Sequence, residues 1–155
     1  MVAARHAPAP WHHLGVDLVA RLREASHREL ERSPVVLAYL FGSVATGRAR
    51  EGSDVDVAVV LEPSLPPERY LELSLELARR LSTASGVGGI EVVVLNDAPL
   101  PLRGRAVSER VVLFSRDEPF RVRFESRVLR EFLDFQIHAA PMDLELLRAT
   151  AEGRR

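Results

Sequence analysis

The chain has 155 residues, 46% of them hydrophobic and 28% charged, which suits one domain able to bury a core. Its 21 basic and 22 acidic residues leave a formal net charge of −1, so no general basic field draws nucleic acid and no direct nucleic-acid binding is expected. There is no cysteine, hence no disulfide or thiol nucleophile, and no apolar run of the roughly 18 residues that a membrane span needs.

Residues 1–13, rich in Ala, Pro and His, lack the apolar centre of a secretory leader and read as a flexible arm, which makes the cytoplasm the default location. His12 and His13 are adjacent and could ligate metal, but tail histidines read more simply as solvated. From 14 to 32, Leu14, Leu18, Val19, Leu22 and Ala25 recur at helical spacing until Ser33-Pro34 stops the helix. Val35–Phe41 is an apolar, partly β-branched run of strand length that ends at Gly42-Ser43. Residues 44–49 predict a short helix. After Gly52-Ser53 the run Asp54–Leu61 predicts a second strand.

Glu62–Pro67 is a proline-rich loop. Residues 67–84 predict a helix with a broad apolar face of Leu71, Leu73, Leu75, Leu77, Ala78 and Leu81. Gly86-Val87-Gly88-Gly89 reads as a helix stop and turn rather than a phosphate loop, because no helix follows it directly. Ile90–Leu95 is a third strand, Asn96–Pro99 a turn, 100–109 a short helix and Val111–Phe114 a fourth strand. After a break at Ser115–Pro119, Phe120–Ala139 predicts a long amphipathic helix. Its apolar candidates are Val122, Phe124, Val128, Leu129, Phe132, Leu133, Phe135 and Ile137. Pro141 is expected to interrupt it, with Met142–Ala151 as a final short helix. The expected class is α/β (α+β), a small mixed four-stranded sheet flanked by helices. The core spans 14–117 and a C-terminal helical segment of the same domain spans 118–155.

The chemistry concentrates between Tyr39 and Val60. Gly42 has no Cβ, so a phosphate can approach its backbone closely. Ser43 adds a hydroxyl donor where the chain turns toward a helix. Asp54 and Asp56 alternate on a strand, so both carboxylates share one face, roughly 6.5 Å apart along it. Two such acids on an apolar strand repel and resist desolvation, and a hard divalent cation between them relieves both costs. In the third strand Glu91 is the only charge.

Gly42-Ser43, a spacer of ten residues and Asp54-x-Asp56 resemble the signature of the DNA polymerase β type nucleotidyltransferases. The chain is similar in particular to the minimal nucleotidyltransferase (MNT) group. Ile90–Pro99 resembles the third-strand region of that group and Phe124–Phe135 its C-terminal helix, so the likeness spans roughly residues 33–138. The resemblance implies a palm-like fold with a C-terminal helix, ATP as nucleotide substrate and Mg²⁺ as cofactor. It assigns Gly42 and Ser43 to the phosphates and Asp54, Asp56 and Glu91 to metal and catalysis, with Glu91 standing where an Asp is usual. Thr46 and Val94 depart from positions where many relatives carry Arg and a second strand Asp.

MNT proteins are commonly antitoxins that AMPylate a Tyr of a helical HEPN ribonuclease toxin, which makes such a toxin the expected partner. Two alternatives stay open: a small-molecule nucleotidyltransferase of the antibiotic-modifying kind, and a module that binds the toxin without catalysis, its Glu91 site weak or dead; Glu91 by itself also reads as an edge-strand residue facing solvent. The four C-terminal phenylalanines, Phe120, Phe124, Phe132 and Phe135, make the last helix the expected docking element, with Phe135 exposed.

Overall fold

The structure, a computed structural model, describes residues 11–152, with side chains at 15 and 17–139. The side chains of His12 and His13, and the expected arm before Trp11, lie outside the described residues. Helix α1 (Trp11–Leu30) opens the fold, so helix begins within the stretch expected to be an arm. It is followed by β1 (Val35–Phe41), a single turn α2 (Gly42–Ala45) and β2 (Val55–Leu61). A 3-10 turn at Pro67–Arg69 leads into α3 (Tyr70–Ser85), then come β3 (Ile90–Val94), α4 (Leu100–Ser108), β4 (Val111–Ser115) and α5 (Glu118–Glu152).

The sheet order is β3-β2-β1-β4, with β1 antiparallel to β2 and β4 and β2 parallel to β3. This is the expected mixed four-stranded sheet. The single parallel pair needs a crossover, and α3 supplies it. Alternation along the two central strands builds two cores. Val35, Ala38, Leu40 and the odd positions of β2, Val55 to Leu61, pack on Leu22, Ala25 and Leu30 of α1 and on Leu77 and Leu81 of α3. Leu37, Tyr39, Phe41, Ala58 and Val60 face the other way, onto Ala106 and Val107 of α4 and Phe124 and Val128 of α5. Asp56 has the parity of Ala58 and Val60, so it belongs to the face that carries α4 and α5.

Several expectations need correction. The helix predicted at 44–49 is one turn at Gly42–Ala45, because Thr46 closes it: its amide and its hydroxyl both donate to Gly42 O, at 3.1 and 3.0 Å. Leu71 and Leu75 do not join the apolar face of α3; they are 72% and 65% exposed. The sheet ends at β3, so α3 has a narrow bed and only the stripe through Leu77 and Leu81 is covered. On α5, Val122, Leu133 and Ile137 are exposed, while Phe124 and Val128 are buried. Pro141 does not split the last helix, which runs unbroken to Glu152. A proline removes one N–H and crowds one carbonyl, a local loss that the helical turns on either side can carry.

Two contacts tie outer segments to the rest of the fold. Asn96 mimics a strand partner: its Oδ1 accepts from Leu61 N and its Nδ2 donates to Leu61 O, both at 2.8 Å. Gly104 lets α5 close on α4, since any Cβ there would collide with the ring of Phe132.

Candidate active site at the Gly-Ser turn

Gly42 stands at the C-terminal end of β1 with φ +75°, a conformation that glycine adopts at little cost. Phe41 is the register partner of Asp56, so the turn opens directly beside that carboxylate. A Cβ at position 42 would collide with Asp56 Oδ2. The missing side chain is thus the space that keeps the carboxylate against the turn.

Asp54 precedes β2 by one residue and is exposed; its Oδ1 lies on the side of Gly89, 3.8 Å from where a Cβ there would stand. Glu91 is the register partner of Asp56 on the parallel neighbour β3 and is exposed. Register partners in a parallel pair point to the same face, so Glu91 stands beside Asp56 on the α4/α5 side. The structure therefore brings the expected carboxylates to one end of one sheet face. Among the described residues no three acidic or histidine side chains converge tightly enough to form a ready metal cage. The donors are all carboxylate oxygens, the set that a hard cation such as Mg²⁺ takes together with phosphate oxygens and water. Gly42, lacking a Cβ, lets the Asp56 carboxylate lie against the turn, and Asp54 and Glu91 are exposed at the same sheet end, so the residues fit that ion.

Two residues of the site carry no sequence signal. Glu109, just past α4, accepts a hydrogen bond from Gly42 N at 2.9 Å through Oε2. Arg105, one helical turn earlier, places Nε 3.4 Å from Glu109 Oε1 and its guanidinium 5.7 Å from the Phe41 ring centre. Its Nη2 lies 3.5 Å from the Cβ position over Gly42. Burial raises the Asp56 carboxyl above its ordinary range, Arg105 opposes that, and Asp54 and Glu109 add to it. Ser43 is half-buried and its carbonyl accepts from Arg48 N at 2.8 Å, which folds the following loop back over the turn. Only the i,i+4 spacing of Arg105 and Glu109 was visible in the sequence, and that spacing is ordinary on any helix.

A family model described as Polymerase beta, Nucleotidyltransferase matches residues 26–119. A spectinomycin 9-adenylyltransferase of Staphylococcus aureus is 36% identical over 72 residues, 44% of this chain and 28% of the relative. The chain thus spans little more than a quarter of the matched relative's length. Among solved structures, a toxin–antitoxin with AMP-PNP superposes with a TM-score of 0.62 at 20% identity, covering 83% of this chain and 98% of that one. A tri-AMPylated Shewanella oneidensis HEPN toxin in complex with MNT antitoxin gives 0.55 at 20% identity, covering 87% and 98%. At such identities the likeness establishes the fold. Among the described residues no helix is long and apolar enough to cross a membrane.

Proposed function

The chain belongs to the polymerase beta nucleotidyltransferase family, and from that membership we propose that it transfers AMP from ATP to a hydroxyl, a Tyr of a partner HEPN-type toxin, acting as antitoxin. The observation that carries the reading is the pairing of Asp56 with Glu91 across β2 and β3, beside a Gly42 turn with no side chain. The partner assignment is supported by α5. Its outer part presents Leu133 and Ile137 on one side, at 56% and 68% exposure, and Phe135 on the other, at 43%, apolar side chains with no cover among the described residues.

Gly42 and Ser43 hold the nucleotide phosphates. Asp54, Asp56 and Glu91 would hold Mg²⁺, which would supply charge neutralisation of those phosphates. Glu91 accepts the proton of the acceptor hydroxyl. The hydroxyl oxygen then bonds to the α-phosphorus, the bond from the α-phosphorus to the bridging oxygen breaks, and pyrophosphate leaves.

The test is co-expression with the protein encoded beside this chain, followed by mass spectrometry of that partner after incubation with ATP and Mg²⁺. The expected result is a gain of one or more AMP units that Asp54→Asn with Asp56→Asn eliminates. In calorimetry the same double variant should lose the Mg²⁺-dependent part of ATP binding. Glu91→Gln should leave ATP affinity nearly unchanged and slow transfer about a hundredfold, because its proton acceptance counts chiefly in the transition state. Wild-type transfer in Glu91→Gln would make Glu91 a solvent-facing strand residue. A stable complex without any mass gain would make the chain a binding module. The 36% identity to a spectinomycin 9-adenylyltransferase favours a second reading, transfer to an antibiotic hydroxyl. AMP appearing on spectinomycin and not on the partner would establish that reading instead.

A further inference from the structure

The carboxylates of the site face a cation that belongs to neither motif strand. Arg105 reaches from α4 over Phe41 toward the point where Gly42 and Asp56 meet, and Glu109 holds it from behind while also holding Gly42 N–H. The Arg105 side chain is 54% exposed, against 28% for Glu109, so the guanidinium is open to a ligand while its anchor is half-sheltered. Its holds are loose: a 3.4 Å contact to Glu109 and a 5.7 Å approach to an aromatic ring can exchange for stronger partners.

We propose that Arg105, steered by Glu109, is a resident counter-cation of this site. It balances Asp56 when no metal is bound and passes to the nucleotide phosphates when metal takes that carboxylate. The inference rests on the nucleotidyltransferase reading. Two cations cannot both occupy the approach to one carboxylate, so Arg105 and the metal compete for Asp56. A planar guanidinium matches phosphate oxygens in a bidentate fork, so a triphosphate offers the displaced side chain a better partner than it gives up. Glu109, which holds Gly42 N–H, is the anchor that Arg105 leaves.

The experiment uses the full chain as wild type, Arg105→Gln and Arg105→Lys, each first checked for native circular dichroism. Calorimetry measures MgCl₂ alone, then ATP at saturating Mg²⁺. Arg105→Gln should bind Mg²⁺ alone about 3- to 10-fold tighter, since a competing charge nearby is worth up to about a tenfold shift. It should bind ATP about tenfold weaker, the loss of one charge-assisted phosphate contact. Arg105→Lys keeps the charge and should stay near wild type toward Mg²⁺ while losing part of the ATP affinity. An Arg105→Gln protein lacking either shift overturns the proposal, and weaker binding of Mg²⁺ would make Arg105 a support for the carboxylates instead of their competitor. Wild type that binds neither Mg²⁺ nor ATP would overturn the functional reading itself, whereas wild-type binding of both with an indifferent Arg105→Gln overturns this inference alone.

Discussion

Gly42→Ala is expected to abolish nucleotidyl transfer, lowering the rate by at least about a thousandfold, because the substitution displaces a carboxylate and a phosphate cradle together. Two effects act at this position. The backbone has φ +75°, where an alanine is strained, and the strain costs roughly 1–3 kcal/mol of stability. The new methyl group also meets Asp56 Oδ2 and comes within 3.5 Å of Arg105 Nη2. Asp56 must then swing out or the turn must shift, and either movement separates the acid from the backbone proposed to hold the phosphates. Gly47 provides the control. Its φ is +73°, yet a Cβ there meets nothing within 4 Å. Gly47→Ala should therefore show a similar fall in melting temperature and keep its transfer rate. Equal loss of transfer in both variants would mean that backbone strain, not the collision with Asp56, disables the site.

The distinction between strain and collision also explains what the sequence made legible. The positions of Gly42, Ser43, Asp54 and Asp56 answer to local rules, a turn at a strand end and a period of two for the acids, although Asp54 stands one residue before β2. The placement of Glu91 beside Asp56 followed from the third strand, but the parallel register Asp56↔Glu91 that realises it is a property of the crossover through α3. Arg105 and Glu109 were not legible at all. They reach the site because α4 packs on β1 and brings its C-terminal end to the Gly42 turn, and no spacing within residues 100–109 announces that position. Leu71 and Leu75 failed in the opposite sense. Their helical period is correct, and a sheet that stops at β3 leaves them no surface to cover. Asn96 was readable only as a turn residue; its paired bonds to Leu61 need the end of β2 to lie opposite.

Glu125 is the strongest case of a role hidden by a generic pattern, and its removal is expected to produce the largest loss of stability in the chain. On α5 it looks like one acid of a solvated helical face, yet it is only 6% exposed. Its Oε1 accepts from Tyr39 Oη at 3.1 Å and from Arg121 Nη1 at 3.0 Å, and its Oε2 lies 2.9 Å from Arg110 Nη2. Burial, and then the Glu125 charge, push the Tyr39 phenol far above its ordinary range, so it stays a neutral donor to Glu125. The carboxylate thereby ties α5 to the centre of β1 and to the segment entering β4.

Glu125→Ala strands a buried hydroxyl and leaves two guanidiniums without their shared anion. Breaking a buried pair of this kind costs about 3–5 kcal/mol. Arg110 and Arg121 are 30% and 22% exposed and recover part of their hydration, which favours the lower end of that range. At about 3 kcal/mol the melting temperature of a chain this size falls by roughly 6–12 °C. Tyr39→Phe removes a single hydrogen bond to the same carboxylate and should cost only about 1–2 kcal/mol. A Glu125→Ala protein that melts within about 2 °C of wild type, a change of less than about 1 kcal/mol, would show that water replaces the carboxylate without penalty. The consequence for function is mechanical. Phe124 and Val128 fix α5 on the sheet through apolar contact, and Glu125 sets the orientation in which the helix leaves it. Measured well below the melting transition, Glu125→Ala should bind the partner more weakly than wild type while its ATP affinity is unchanged, because Leu133, Phe135 and Ile137 are carried by the helix and the Gly42 turn is not.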